Sequence, residues 1–365
     1  MKGRRLDYDL MRVCFMFGVI YLHVAAATLR DLTRPLLWNF SNVLVCLFTP
    51  AVPLFFMMSG SLLLRSDRTL DLDLLLRRRV PKLLVPLLTY SALVILFLYV
   101  DGDAPGATTA LSRLLNTPAT VPYWFLYALI PLYLISPFLR YMVRDMTEAH
   151  WRWMMALWGF TMVLSTLRLL VPFDVQTILT EHWTLNLRFV GGYLGYFLLG
   201  AWLDRWEKLP PAGVLAAGTL GLLLFVILCT RWDTFYLGYY SSRFTDYQSL
   251  FTLVLASLLF LLSKSLFGGR TTQGKLLPLL AGNSFPVYLL HPLAIGGMQK
   301  LWHPLTGKYM IATPGDQLLF FGLVSLSCVL CAVLLSSLPG VCFLFTGQNF
   351  ASASNLQSLF GKKAP

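Results

Sequence analysis

Ten apolar runs follow one another along this chain, and no long polar segment separates them. They cover residues 10–29, 41–64, 83–100, 122–141, 151–170, 187–203, 212–230, 248–267, 279–299 and 317–346. A helix crosses a hydrocarbon core of roughly 30 Å in about 20 residues. Inside lipid every backbone N–H and C=O must find its partner within the protein, so single runs of this length predict helices. The expected fold is an all-α integral membrane protein, a bundle of about ten transmembrane helices. One membrane domain is expected over residues 1–346, with a short tail over 347–365 and no separate catalytic domain after it. Composition agrees: 57% of residues are hydrophobic and 13% charged, about half the charged share of a soluble domain. The last run is too long for one simple span and contains Pro339 and Gly340, where a break or bend is expected. The start, MKGRRLDYDL, is charged but lacks a small-residue cleavage site, so the first span is expected to be retained.

Lys and Arg set the orientation. With the N-terminus in the cytoplasm, 20 of the 29 Lys and Arg residues fall on the inner side, among them Arg12, Arg77, Arg78, Arg79 and Lys82. Both termini are therefore expected to be cytoplasmic. The net charge of +12 follows from this asymmetry and calls for no nucleic-acid partner; zinc-finger, Walker and GxGxxG patterns are missing from the sequence. All six cysteines lie in or at the ends of apolar runs, which argues against a disulfide framework. Cys328 and Cys331 form a C-x-x-C inside a leucine- and serine-rich run, a setting that fits packing better than redox or metal chemistry, and no metal is expected.

The first span contains RVCFMFGVIYLH, Arg12 to His23. Eleven helical steps turn the chain through roughly 1100°, so both side chains fall within about 20° on one face, about 16 Å apart along the axis. With Arg12 at the cytoplasmic end, His23 lies past the middle of the membrane. An ionisable group at that depth marks a site candidate, although His23 also suits an interhelical hydrogen bond and Arg12 a snorkelling anchor. His291, followed by Pro292, is a second histidine within a span.

An Arg or Lys separated by ten intervening residues from a His in the first span resembles the membrane-bound acyltransferase 3 family. So do FFMMSGSLLL (55–64), RRRVPKLLVP (77–86), YWFLYALIPLYLISPFLR (123–140), GGYLGYFLLGAWLDR (191–205) and NSFPVYLLHP (283–292), in that order. The resemblance implies a multi-pass acyltransferase of the plasma (inner) membrane, moving an acyl group, often acetyl, from cytoplasmic acyl-CoA to a hydroxyl of a cell-surface glycan or lipid-linked sugar, in polysaccharide modification. It makes His23 the catalytic residue and Arg12 a group that serves the acyl donor or the site's electrostatics. Arginine suits forked phosphate contacts, so Arg77, Arg78, Arg79 and Lys82 join Arg12 as candidates for the phosphates of acetyl-CoA; topology alone also accounts for that cluster. Ser59 and Gly60 suit either the donor site or close helix packing. Tyr123 and Trp124 suit either the acceptor or an aromatic belt.

His291 is a further candidate on the acceptor side, as are Glu181 and His182, which share the 171–186 loop with Asp174 and Trp183. No Asp or Glu lies at the centre of an expected span, so a carboxylate orienting His23 would come from an outer segment such as Asp31, Asp174 or Glu181. The alternative from another class is a non-enzymatic transporter or flippase of a lipid-linked sugar or small molecule, which ten spans with interior polar groups would also suit. The sequence has no evident inverted repeat to favour it.

Overall fold

The structure, a computed structural model, describes residues 3–103, 105–115, 117–171, 173–176 and 192–350. It is helical, with no strand among the described residues and a single β-bridge between Arg5 and Thr271. The α-helices of five or more residues are α1 (Leu6–Arg30), α2 (Pro35–Phe48), α3 (Ala51–Leu64), α4 (Val80–Val100), α5 (Ala107–Leu115), α6 (Trp124–Arg144), α7 (Glu148–Leu170), α8 (Gly192–Leu203), α9 (Ala212–Leu237), α10 (Leu250–Phe267), α11 (Leu276–Gly282), α12 (Ser284–Thr306), α13 (Pro314–Ser336) and α14 (Cys342–Thr346) among the described residues.

Eight helical stretches among the described residues are long and apolar enough to cross a membrane. The other two of the ten expected runs correspond to α8, of which 12 residues are described from Gly192 onward, and to α12, whose 23 residues include His291, Pro292, Lys300, His303 and Pro304 that dilute its apolarity. The expected run 41–64 is two helices, α2 and α3, with Pro50 and Pro53 at the junction. The final run breaks where Pro339 and Gly340 stand: α13 stops at Ser336 and α14 restarts at Cys342.

Polar residues extend the helices beyond the apolar runs when their side chains find partners. Thr313 caps α13, its hydroxyl accepting from the Asp316 amide at 3.1 Å, so that helix starts at Pro314. Helix α9 runs to Leu237 and ends on Gly238, whose φ of +74° a side chain would strain. This extension takes in Asp233, buried, with its carboxylate accepting from Ser241 and, at 3.1 Å, from Arg243.

The chain divides into two compact units. One comprises residues 1–24, 71–134 and 270–365, the other 25–70 and 135–269. In the first, Met16, Ile20 and Val24 of α1 form a ridge at every fourth residue that packs with Val287 and Trp302 of α12 and with Phe320, Val324, Cys328 and Ala332 of α13. Matching ridges of this spacing interdigitate, which fixes the rotation of each helix. The Tyr21 hydroxyl donates to Gln317 at 2.8 Å, holding α1 against α13. The amides of Leu6 and Thr272 bond the carbonyls of Arg270 and Arg4 at 3.0 and 2.9 Å, pinning the start of α1. Leu318, Leu326, Leu330 and Leu334 leave an apolar exposed face on α13, as lipid requires.

In the second unit, α3 and α8 meet backbone to backbone. A Cβ on Gly60 would stand 1.8 Å from the Phe197 carbonyl oxygen, and one on Gly200 would stand 2.0 Å from that of Met57. Glycine at both positions is what permits the approach.

Candidate functional site

Because α1 is one unbroken helix, Arg12 and His23 keep the single face that their spacing predicts, and both lie in the first unit. The carboxylate one turn before Arg12 is already engaged. Asp9 accepts from Arg4 at 2.9 and 2.8 Å and from Thr272 at 2.8 Å. Arg12 has no hydrogen bond or ion pair of its own among the described residues, so its charge is available to an anion. Lys82 lies within electrostatic range of both Arg12 and Arg4, so the structure brings these cations into one neighbourhood. Arg77, Arg78 and Arg79 stand just before α4 on a π-helical turn, Leu75–Arg79. Arg77 and Arg78 are exposed, and Arg77 pairs with Asp73 at 2.7 Å.

At the other end of the face His23 meets His291. The rings lie 5.0 Å apart between centroids, tilted by 32°. The setting of His291 follows from the proline after it. Pro292 has no N–H, which leaves the carbonyl four residues earlier, that of Tyr288, without its helical donor. His291 Nδ1 takes that place and bonds the Tyr288 oxygen. A carbonyl only accepts, so Nδ1 carries the hydrogen and Nε2 of the neutral ring is the acceptor. That Nε2 is buried and has no partner among the described residues.

The elements around His291 are tied down. Tyr123, fully buried, donates its hydroxyl to the Leu289 carbonyl at 2.7 Å, and the Tyr288 hydroxyl donates to the Pro122 carbonyl. These reciprocal bonds fix the stretch before α6 to the helix that carries His291. Trp124, the next residue, is partly buried. The Tyr288 ring stands 5.6 Å from that of His291. Sequence reading did not single out Tyr288, although its position four residues before Pro292 signals a freed carbonyl.

Other candidates fall elsewhere. Ser59 is in the second unit beside Gly60, at the α3–α8 approach. Glu181 and His182 lie outside the described residues, as does the side chain of Asp174. Asp31 is turned to its own loop: it accepts from the Thr33 hydroxyl and amide, the latter at 3.0 Å, and those bonds hold its carboxyl below the usual range. Among the described residues no three His, Cys, Asp or Glu gather to hold a metal, and all six cysteines are free thiols.

A helix face with an unpaired guanidinium at one depth and an imidazole pair at the other can hold an anionic group and, separately, accept a proton. No curated protein and no solved structure matches the chain. The acyltransferase 3 family model, described as an acyltransferase domain, matches residues 5–337. That span takes in Arg12, Lys82, His23 and His291, and the chain, a multi-pass membrane protein by its helices, belongs to the acyltransferase 3 family.

Proposed function

We propose that this protein transfers an acetyl group from cytoplasmic acetyl-CoA to a hydroxyl of a cell-surface glycan or lipid-linked sugar, at the plasma (inner) membrane. The observation that carries the reading is the pairing on α1: Arg12, without an ion pair among the described residues, shares its face with His23. Arg12, with Lys82 nearby and Arg77, Arg78 and Arg79 before α4, serves the phosphates of the coenzyme at the inner end. The pantetheine arm extends along the face, and about 16 Å further out the thioester reaches His23.

His23 then acts as general base. Its imidazole takes the proton of the acceptor hydroxyl as the oxygen attacks the thioester carbonyl; the C–S bond breaks and the departing coenzyme sulfur receives the proton. His291 is a positioning residue. Its ring, held by the Tyr288 carbonyl, limits the orientations open to His23. Tyr123 and Trp124 are assigned to the acceptor side.

The test is transfer of radiolabelled acetyl from acetyl-CoA to an acceptor glycan by purified protein in lipid nanodiscs. Removing a general base costs about 10² to 10⁴ in rate, so His23→Ala should lose that factor while retaining its melting profile and acetyl-CoA binding. Transfer at the parent rate by a folded His23→Ala protein overturns the assignment.

A further inference from the structure

The second unit contains a cavity of about 280 Å³ among whose walls are Arg65, Arg140, Arg144, Arg205 and Trp151. Four guanidiniums around one small concavity repel one another, and the surrounding carboxylates offset this only in part. Arg65 is bound to Asp204, whose buried carboxylate also accepts from Ser61 at 2.9 Å. Arg140 pairs with Asp67 at 2.8 Å and Arg144 with Asp145 at 3.3 Å, but those carboxylates are 78% and 75% exposed, where a pair contributes little. Arg205 has no acidic partner among the described residues and lies over the Trp151 ring at 5.6 Å. Lys264 adds positive charge 4.0 Å from Asp204 while its ammonium caps the carbonyl end of α8, donating to Leu203, Asp204 and Trp206.

Two buried donors in the same walls are unused. The Arg140 guanidinium gives one nitrogen to the Leu64 carbonyl at 2.9 Å and one to Asp67, yet its Nε has no acceptor among the described residues. Trp151 is 1% exposed, and its Nε1 also has no acceptor among the described residues. An orphaned buried N–H loses its bonds to water with nothing in return. Arginines placed only to orient the chain in the membrane would need neither a concavity nor these donors.

We propose that this cavity binds the phosphate of a phosphate ester, with Arg144 and Arg205 as its principal cations and the Arg140 and Trp151 N–H groups as its buried donors. Guanidiniums give phosphate forked, charge-assisted bonds. The volume lies just below the range of about 300–1,000 Å³ that takes a whole drug-sized ligand, so the cavity takes a phosphorylated headgroup and leaves the rest of the molecule outside. Two sources supply that chemistry: the phosphates of a coenzyme nucleotide and the headgroup of an anionic phospholipid. The proposal is independent of the acetyl-transfer reading, because it is tested by binding without turnover.

The experiment uses the full chain in phosphatidylcholine nanodiscs and calorimetric titration with two probes, adenosine 3′,5′-bisphosphate and dihexanoyl phosphatidylglycerol. At least one should bind, and Arg144→Gln/Arg205→Gln should weaken it tenfold or more. Binding of the bisphosphate identifies a nucleotide source; binding of the phosphatidylglycerol identifies a lipid one. Arg205→Gln alone, at an exposed side chain, is the second variant should the double one fail to fold, and a threefold or greater loss is expected. Failure of both probes to bind, or parent affinity in a folded variant, overturns the proposal.

Discussion

Gly60→Ala and Gly200→Ala place a methyl group where the carbonyl of a facing helix already stands. The added carbons would lie 1.8 Å from the Phe197 oxygen and 2.0 Å from the Met57 oxygen. Carbon and carbonyl oxygen settle at about 3.3 Å or more, so α3 and α8 must part by on the order of 1.5 Å. The obstacle is helical backbone on both sides, which no rotamer change relieves. Overpacking costs typically about 1–3 kcal/mol, and each single variant belongs at the upper end, about 3 kcal/mol. The second consequence is sharper. Once the helices have moved apart for one methyl, the space for the other is largely open, so the double variant should cost little more than the worse single one. That is a coupling of about 2–3 kcal/mol, at the top of the range for residues in contact. SDS unfolding of the purified protein, followed by tryptophan fluorescence, measures all three. Wild-type stability in Gly60→Ala, or additive costs in the pair, would refute the close approach.

Three further outcomes test the candidate site. Arg12→Ala should weaken acetyl-CoA binding about ten- to a hundredfold, the worth of a charge-assisted hydrogen bond, and added salt should weaken the parent's binding too, less so if the phosphates are held away from solvent; unchanged donor affinity in the variant would leave Arg12 as a membrane anchor. Pro292→Ala restores an amide opposite the Tyr288 carbonyl, so the His291 imidazole must share an acceptor worth about 0.5–1.5 kcal/mol. Acetyl transfer should fall about two- to tenfold at unchanged KM for acetyl-CoA, and a parent turnover rate would count against a positioning role for His291. In a background lacking the six native cysteines, Asp103→Cys should react with a membrane-impermeant maleimide from outside and Asp73→Cys only from inside; the reverse at both positions would invert the topology.

The helices and the Arg12–His23 face were legible in the sequence because both are local. In lipid the backbone must satisfy itself over consecutive residues, so an apolar run of sufficient length already implies its helix, and a fixed turn per residue aligns positions eleven apart. Pro339 and Gly340 likewise marked the break after α13, since a missing N–H acts within one turn. Helix ends were less legible: α9 extends past its apolar run because Ser241 and Arg243 fold back to Asp233, and α13 starts early on the Thr313 cap.

The neighbours of each polar side chain were decided by tertiary structure alone. Asp9 is one helical turn from Arg12 and within its electrostatic reach, yet its hydrogen bonds serve Arg4 and the distant Thr272, which leaves Arg12 without an ion pair among the described residues. His23 meets a ring from α12 because the ridges of α1, α12 and α13 interlock in one rotation. Arginines from separate segments line one cavity of the second unit, where the sequence reads them only as inner-side charge. A hydropathy pattern specifies which residues must leave water; which residues they then touch depends on the shapes of helix surfaces far apart in the chain.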